Sequence, residues 1–387
     1  MNVSVVFLIV LFSFVTLAEA KIRKVPGVVV DYLPASTKTF IGSPSIVILS
    51  NGDYIASHDF FGPATTEHEW AVTAVFRSSD KGKSWNKISE IKGQFWSNLF
   101  VHQDMLYIMG CWKHHGNMII RRSADGGKSW TEPTNSSSGL LREGEFHTAP
   151  MPMVYWKGRL CRAFENAKSN TTEWGKRYSA GVISVPEGAD LLKASNWMTT
   201  NFLPFDSTYL EGKFGGWLEG NAVVTPDGRL VDFLRVATSE KGRDLAAMVQ
   251  ISEDGSTASF DPSSGFFDFE GGSRKFSIRH DELSGRYWTI SNLVTREYTS
   301  LSAGSVRNTL ILKSSVDLKK WEVEKVLLHA PDVKKHGFQY VDWQFEGKDI
   351  IFLCRTAFDD DFGGADNYHN ANYLTFHRIK NFRKLAK

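Results

Sequence analysis

The stretch Arg77-Ser78-Ser79-Asp80-Lys81-Gly82-Lys83-Ser84-Trp85 decides the fold, because it returns almost unchanged as Arg122-Ser123-Ala124-Asp125-Gly126-Gly127-Lys128-Ser129-Trp130. Its two aspartates, at positions 80 and 125, lie 45 residues apart, and a period of this length suits one blade of a β-propeller. The serine and aspartate side chains are suited to bond the backbone of a turn, and the glycine supplies a positive φ. We expect the tryptophan that ends each copy to fill the gap between neighbouring blades.

Two weaker copies of this repeat follow. Ser252-Glu253-Asp254-Gly255 keeps the serine, the aspartate and the glycine, whereas Ser315-Val316-Asp317-Leu318-Lys319-Lys320-Trp321 lacks the glycine and is one residue shorter. The role of the repeat is mechanical, so it predicts architecture and carries no information about catalysis.

The rest of the chain consists of short β-type runs bounded by Gly, Asn and Asp. Only residues 189–194 and the C-terminal tail suggest helix. Length alone would allow two domains, but the uniform pattern predicts a single all-β domain over residues 21–387. The runs that read as strands are 45–49, 54–57, 71–76, 106–110, 118–121, 222–225 and 230–234.

The repeats resemble the Asp-box (BNR) repeats of the sialidase superfamily, and the resemblance extends over residues 41–352. It implies an all-β, sialidase-like β-propeller. At about 60 residues per blade the chain would form six blades, and seven tighter blades are the alternative.

An unbroken apolar run occupies residues 3–17 and precedes Ala18-Glu19-Ala20, which has the small-x-small form of a cleavage site. The run is short for a membrane span of about 20 residues, so an uncleaved anchor is the weaker alternative. We expect a signal peptide over residues 1–20, a mature protein that begins at Lys21, and a secreted or periplasmic location. No other stretch is apolar and long enough to cross a membrane.

Composition limits the classes of partner. A formal charge of +2 gives no reason to expect nucleic-acid binding. Cys111, Cys161 and Cys354 lie far apart in apolar contexts, so they predict small buried side chains and no disulfide framework. The segment Lys113-His114-His115-Gly116 has no carboxylate or cysteine at a recognisable metal-ligand spacing. A metal site at these imidazoles is therefore the weaker alternative. We expect no metal, no cofactor and a monomeric protein.

The segment from Trp217 to Arg235 carries the first candidates for chemistry. It reads as a strand, a Pro226-Asp227-Gly228 turn and a return strand, so antiparallel pairing would bring Glu219 and Arg235 close together. A carboxylate beside a guanidinium is typical of a functional site. A surface ion pair that brackets an ordinary hairpin is an equally good explanation.

Further candidates stand near the ends of predicted strands. His58 titrates near neutrality and is a candidate general acid or base, with a purely structural histidine as the alternative. His147 opens another blade and is a candidate for substrate contact. Glu67 lies in the polar loop 63–70, where sialidases place their acid aspartate, so the resemblance assigns it the acid role.

The resemblance also assigns the arginines that grip the carboxylate of sialic acid. The segment 41–47 looks like the family's opening motif, but Gly42 stands at the place of the first arginine, which implies that this arginine is missing. Arg235 matches the second arginine. Arg307 matches the third, with Arg296 as the less favoured choice.

Near the C-terminus, the segment 338–347 resembles the family's Tyr-Ser-Asp segment and puts Tyr340 at the nucleophilic tyrosine, with Glu219 as its activator. The acidic, aromatic and glycine-rich segment 355–373 does not look like the corresponding part of sialidases. We expect this segment to fold over the face of the propeller, and Arg355 and His369 are candidates for sugar contacts.

The residue types suggest one chemistry and two alternatives. A tyrosine, with an ordinary pKa near 10, becomes a nucleophile when a carboxylate takes its proton, and adjacent arginines would bind a carboxylate and lower the pKa of the tyrosine. The set predicts a sialidase-like hydrolase of an acidic glycan or oligosaccharide. A polysaccharide lyase or oligosaccharide dehydratase would instead use Tyr340 or His58 as the base beside a uronate. A sugar-binding propeller without catalysis is the third class.

Overall fold

The structure is a computed structural model that describes residues 24–386. The predicted signal peptide and the predicted mature terminus at Lys21 lie outside these residues. Within them, the strands form six antiparallel sheets, and the opening strands of neighbouring sheets pack against one another. The fold is a six-bladed β-propeller, which confirms the predicted fold class and blade number. None of the helices in this part of the chain is long and apolar enough to span a membrane.

The chain starts in the last blade with β1 (Val28–Tyr32) and then builds the blades in order. Blade 1 contains β2 (Phe40–Ile41), β3 (Ser45–Ile48), β4 (Tyr54–Phe61), β5 (Val72–Ser78) and β6 (Asn86–Lys92). Blade 2 contains β7 (Phe95–His102), β8 (Met105–Cys111), β9 (Met118–Ser123) and β10 (Leu140–Arg142). Blade 3 contains β11 (Phe146–His147), β12 (Val154–Trp156), β13 (Arg159–Asn166), β14 (Ser179–Pro186) and β15 (Met198–Thr199).

The second half of the chain forms the other three blades. Blade 4 contains β16 (Phe214–Val224), β17 (Leu230–Thr238), β18 (Leu245–Ile251), β19 (Ala258–Ser259) and β20 (Phe266–Asp268). Blade 5 contains β21 (Ser277–Asp281), β22 (Arg286–Asn292), β23 (Thr309–Ser315) and β24 (Glu322–His329). Blade 6 contains β25 (Gly337–Glu346), β26 (Asp349–Ala357) and β27 (Tyr373–Ile379), together with β1. The 3₁₀ turns are Ala35–Thr37, Ala194–Asn196, Tyr209–Gly212, Arg296–Tyr298, Ala303–Ser305 and Phe382–Lys384.

Blade 6 joins the two ends of the described chain. β1 pairs antiparallel with β27, so that Val28 faces Phe376 and Tyr32 faces Tyr373. The pairing covers an edge that would otherwise expose unpaired backbone groups. The first strand, β1, thereby completes the last blade and closes the ring.

The repeated segment forms the turn that follows β5, and its second copy follows β9. In the first copy, Asp80 Oδ1 accepts backbone N–H bonds from Lys83 and Ser84, both at 3.0 Å. Ser78 Oγ accepts the N–H of Gly82 at 2.9 Å. The hydrogen bonds from Ser84, Ser78 and Lys83 lower the pKa of Asp80 to about 2. The turn is therefore held by an ionised side chain, as the sequence suggested.

The two tryptophans that end these copies lie between blades but are only partly buried. Trp85 packs against Tyr54 of blade 1 and Phe376 of blade 6, with ring centroids 6.4 and 5.5 Å apart. Trp130 packs against an apolar cluster shared by blades 1 and 2. The predicted position between blades agrees with these contacts.

The predicted helical segments are wrong. Residues 189–194 form a turn that leads into Ala194–Asn196, and the tail ends in the 3₁₀ turn Phe382–Lys384. In the first of these turns, the Asp190 side chain accepts the N–H of Leu192 at 3.1 Å. Such local side-chain bonds compete with helix formation.

Candidate active site

Three titratable side chains from blades 4 and 6 meet in one hydrogen-bonded group. Tyr340 donates its O–H to Glu219 Oε1 at 2.9 Å, and Arg235 donates from Nη1 to Glu219 Oε2 at 2.9 Å. The hairpin of β16 and β17 brings Glu219 and Arg235 together, as its sequence pattern suggested. Glu219 is 2% exposed and Arg235 is 9% exposed, so the alternative of a surface ion pair does not apply.

Backbone bulges set the positions of these side chains. The pairing register of β16 shifts around Glu219, that of β25 around Tyr340, and that of β7 around Trp96. All three residues have left-handed backbones, with φ of 47°, 54° and 49° respectively. Such φ values are uncommon for residues other than glycine, and bulges redirect side chains at functional sites. Blades 2, 4 and 6 therefore use the same local device.

The sequence carries a signal for these bulges, which the candidate residues above do not include. Two residues after each bulged residue stands an amide or carboxylate side chain: Asn98, Asn221 or Asp342. Asn221 Oδ1 accepts the N–H of Ile278 at 3.0 Å, and Asp342 Oδ2 accepts the N–H of Ile46 at 2.9 Å. Both donors lie in an opening strand of the next blade, so these side chains tie the bulged strand to its neighbour.

Two further guanidinium groups flank the ring of Tyr340. Arg307 Cζ lies 5.7 Å and Arg355 Cζ lies 4.9 Å from the ring centroid. Arg307 also donates from Nη1 to the side-chain oxygen of Gln339. Arg355 donates from Nη2 to the backbone oxygen of His369 at 2.7 Å. The structure thus gathers Arg235, Arg307 and Arg355 around one tyrosine.

The protonation states of the pair follow from these contacts. Burial disfavours the charge on Glu219, but Arg235, His147 and the bond from Tyr340 outweigh it and lower the pKa. Burial and the charge of Glu219 raise the pKa of Tyr340 and outweigh the three arginines. The arginines lower this pKa, as expected, but burial and the charge of Glu219 have the larger effect. The resting pair is a phenol that donates to a carboxylate.

A cavity of about 120 Å³ opens beside Tyr340 and includes residues from several blades. Arg355 and His369 contribute cationic and imidazole groups, and Asp59 and Glu67 contribute carboxyl groups. His369 comes from the C-terminal segment that was expected to fold over the propeller face. Trp96, Trp174, Phe61, Phe95, His114, Gly42 and Ser43 complete the lining.

Glu67 lies in the loop between β4 and β5, where the Thr66 hydroxyl donates to the backbone oxygen of Trp70 at 2.7 Å. Burial, with a contribution from the charge of Asp59, raises the pKa of Glu67 to about 7. A carboxyl group with this pKa can both donate and accept a proton near neutral pH. The structure therefore places the predicted acid in the same cavity as Tyr340.

Asp59 explains why residue 42 is a glycine. Asp59 Oδ2 accepts the N–H of Trp96 at 2.7 Å, and Oδ1 accepts the N–H of Ser43. A Cβ at Gly42 would lie 1.9 Å from Asp59 Oδ1, so no side chain fits there. Arg355 reaches the same cavity from blade 6.

His147 is buried and does not line the cavity. Its Nδ1 is 2.8 Å from Glu165 Oε2, and its ring stacks on Tyr178 with centroids 4.3 Å apart. Glu165 Oε1 accepts the N–H of Gly220, the residue after Glu219, at 2.9 Å. This arrangement makes His147 a positioning residue for the bulge in β16 instead of the predicted substrate contact.

The geometry disagrees with the predicted catalytic role of His58. Its ring is fully buried, with Nε2 2.8 Å from Asp31 Oδ2 and Nδ1 3.0 Å from the backbone oxygen of Asp59. Asp31 belongs to β1, so His58 links blade 1 to blade 6. This is the structural role that the sequence left as the alternative.

Arg296 is also away from the pair. It is exposed in the turn Arg296–Tyr298. Within residues 24–386, its side chain makes no hydrogen bond or ion pair with Tyr340 or Glu219. Arg307, the favoured choice for the third arginine, is the one that reaches the tyrosine.

A larger cavity, of about 710 Å³, lies elsewhere and is lined by Arg279, His280, Glu282 and Tyr287, among others. The Tyr287 hydroxyl donates to the backbone oxygen of Val224 at 2.7 Å, and the hydroxyl of Tyr155, the other tyrosine of this cavity, lies 3.1 Å from His102 Nδ1. We therefore assign the candidate site to the smaller cavity, because the tyrosine beside it is hydrogen-bonded to a carboxylate and surrounded by arginines.

No family model and no curated protein matches this chain. A protein of unknown function from Dyadobacter fermentans is 14% identical, with a TM-score of 0.59 over 93% of this chain and 99% of its own. An α-L-arabinofuranosidase from Fusarium graminearum is 11% identical, with a TM-score of 0.57 over 92% and 96%. The sialidase of Trypanosoma rangeli is 14% identical, with a TM-score of 0.54 over 89% and 55%. At such identities, these similarities establish the propeller fold alone.

Proposed function

We propose that this protein is a retaining glycoside hydrolase that acts on an anionic sugar. The bond of 2.9 Å from Tyr340 to Glu219 carries the proposal, because it supplies a nucleophile with a proton acceptor already in place. The occurrence of the fold in a sialidase and an arabinofuranosidase supports glycosidase chemistry.

The proposed reaction has two steps. Tyr340 Oη bonds to the anomeric carbon while its proton passes to Glu219, and Glu67 donates a proton to the departing oxygen as the glycosidic bond breaks. Water then attacks the anomeric carbon of the glycosyl-tyrosine, and the bond between this carbon and Tyr340 Oη breaks. Glu67, now a carboxylate, takes a proton from that water, and Glu219 returns its proton to Tyr340.

The charges around the pair favour an anionic substrate. Three arginines, Arg235, Arg307 and Arg355, carry positive charge around the pair. The opposing negative charge is that of Glu219, whose pKa lies below its ordinary value. Burial raises the pKa of Asp59, and its carboxylate oxygens already accept the backbone N–H groups of Trp96 and Ser43. Of the three arginines, Arg355 lines the cavity, and its Nε atom is buried without a hydrogen-bond partner in the described residues. Guanidinium groups with free donors bind carboxylates strongly.

The size of the cavity favours a terminal sugar. Its volume of about 120 Å³ is small beside the roughly 300–1,000 Å³ of typical ligand sites. The C-terminal segment narrows it through His369, which accepts a bond from Arg355. We therefore infer exo action on the end of an oligosaccharide.

Elimination at a uronic acid is the second candidate, and His369 is the observation that favours it. Burial and the charges of Arg355 and Arg307 lower the pKa of His369 to about 2, so the imidazole is neutral and can accept a proton. A histidine of such low basicity is a poor base, which ranks elimination after hydrolysis.

A product assay separates these functions. Sialylated, uronate-containing and neutral arabinose oligosaccharides should be incubated with the protein, and new reducing ends and the ultraviolet absorbance of unsaturated uronates should both be followed. We expect new reducing ends without absorbance, from anionic substrates. Ultraviolet absorbance would establish elimination. Cleavage of only the arabinose compounds would contradict an anionic substrate. Binding without any product would indicate a sugar-binding propeller that has no catalytic activity.

Glu67→Gln tests the acid. The general acid must be protonated to act, and the pKa of Glu67 is about 7. For protein from which metal ions have been removed with a chelator, kcat/KM should therefore fall as pH rises above neutrality. Glu67→Gln should remove this pH dependence and lower kcat by roughly 10²–10⁴-fold on substrates with poor leaving groups. Glu69→Gln, exposed in the same loop, is the control. An unchanged alkaline limb in Glu67→Gln would assign the acid role elsewhere.

Arg355→Ala tests the anion site. Loss of one charge-assisted contact should raise KM for the anionic substrate by about tenfold or more. Arg296→Ala removes an exposed arginine and should leave KM unchanged. Equal KM values for both variants would exclude Arg355 from substrate binding.

A further inference from the structure

We propose that Glu67, His68 and His114 form a binding site for a divalent transition-metal ion of the zinc type. Their ligand atoms all lie within 4.8 Å of one another. Glu67 Oε1 and His68 Nε2 are 3.4 Å apart. Ligand atoms around a tetrahedral zinc ion are separated by about 3.4 Å, so this pair already has the required spacing and the third ligand needs only a small shift.

The backbone fixes the two loops that carry these residues. The N–H of His114 donates to the backbone oxygen of Glu67 at 2.9 Å. On the first loop, the N–H of Trp70 donates to the oxygen of Thr66 at 2.8 Å. On the second, the N–H of Gly116 donates to the oxygen of Lys113 at 2.9 Å. Residues distant in sequence are therefore held together before any ion arrives.

Packing orients one imidazole and leaves the other free to adjust. The ring of His114 contacts those of Trp96 and His68, with centroids 4.7 and 4.5 Å apart. The side chain of His68 is 71% exposed, so it can rotate to close the site. The neighbouring His115 has its Nε2 2.9 Å from the hydroxyl of Tyr178 and is engaged elsewhere.

The donor set selects the ion. Two imidazoles and one carboxylate are the ligands of open zinc sites, in which a fourth position remains for water. Magnesium and calcium prefer sets made of oxygen atoms. Zinc, cobalt and nickel are therefore the ions that these side chains suit.

Metal binding would affect the neighbouring cavity, because Glu67 and His114 both line it. An ion bonded to Glu67 withdraws this carboxyl group from proton transfer. The bound ion should therefore inhibit turnover. The inhibition rests on the proposed function, whereas the binding does not.

The binding is tested on the whole protein after treatment with a chelator. Titration with Co²⁺ should give the visible absorption of a tetrahedral ion at a stoichiometry of about one, and Zn²⁺ should compete for the site. His68→Ala and His114→Ala should each weaken binding at least tenfold, whereas His280→Ala, which removes an exposed histidine, should not. Absence of saturable binding by the wild-type protein, or wild-type affinity in both ligand variants, would overturn the proposal. If His114→Ala fails to fold, His68→Ala decides, because His68 is exposed.

Activity provides the second readout. Zn²⁺ should inhibit the wild-type protein saturably and inhibit His68→Ala only at concentrations at least tenfold higher. Stimulation by Zn²⁺ would overturn the inhibitory role. Metal binding in a protein that cleaves none of the oligosaccharides would sink the proposed function and leave the metal site intact.

Discussion

Replacement of Tyr340 by phenylalanine is expected to lower turnover by about a hundredfold or more, the scale of losing a positioned acid-base or nucleophilic group. The substitution keeps the ring that Arg355 and Arg307 flank and removes only the hydroxyl that donates to Glu219. The fold should survive. The measurements are kcat on an anionic oligosaccharide and the melting temperature.

Tyr287→Phe is the matched control, because the Tyr287 hydroxyl is also hydrogen-bonded but donates to a backbone oxygen in another part of the propeller. It should retain full activity. Normal turnover in Tyr340→Phe would remove the tyrosine from the mechanism. A large fall in the melting temperature would mean that the variant reports on folding instead of chemistry.

Replacement of Glu219 by glutamine is expected to reduce both stability and activity. Arg235 is 9% exposed and pairs with Glu219 at 2.9 Å, so the variant leaves a buried cation without its counter-ion. Breaking such a pair typically costs about 3–5 kcal/mol of unfolding free energy. Turnover should fall as well, because Tyr340 loses its proton acceptor. Denaturant unfolding and kcat measure the two effects separately.

The contribution of Glu219 to the free energy of unfolding should depend on pH in a defined direction. The pKa of Glu219 in the fold lies below its ordinary value of 4.5, so its stabilisation is fully present above about pH 4.5 and is lost as pH falls through the lower, folded pKa. Glu219→Gln should remove this acid-dependent component. Glu90→Gln breaks the exposed pair with Lys87 and should change stability by no more than about 1 kcal/mol. An equal effect in both variants would contradict the buried-pair explanation.

A double variant that combines Tyr340→Phe with Glu219→Gln tests whether Tyr340 and Glu219 act in the same step. If Glu219 accepts the proton of Tyr340, the double variant should be little less active than Tyr340→Phe alone, because groups that act in one step give non-additive effects. Multiplied losses would indicate that the two residues serve different steps.

The amino-acid sequence by itself determined the architecture and one half of the site. The repeats around Asp80 and Asp125 predict a propeller because their turns are closed by bonds between residues a few positions apart, which a sequence displays directly. The same holds for Glu219 and Arg235, since a Pro-Asp-Gly turn and antiparallel pairing define how a hairpin meets. The prediction of Tyr340 came from the resemblance of its segment to sialidases.

Only the tertiary structure decided which of the other candidates share a cavity. His58 and Glu67 are close in sequence, yet the first ring is sealed against Asp31 of another blade while the second side chain lines the cavity. Arg355 approaches Tyr340 across blade 6, and His114 meets Glu67 through packing between blades 1 and 2. These contacts depend on how whole blades pack and on bulges that turn single residues inward. Neither blade packing nor a bulge produces a periodic pattern along the chain, so these contacts become visible only once the blades are assembled.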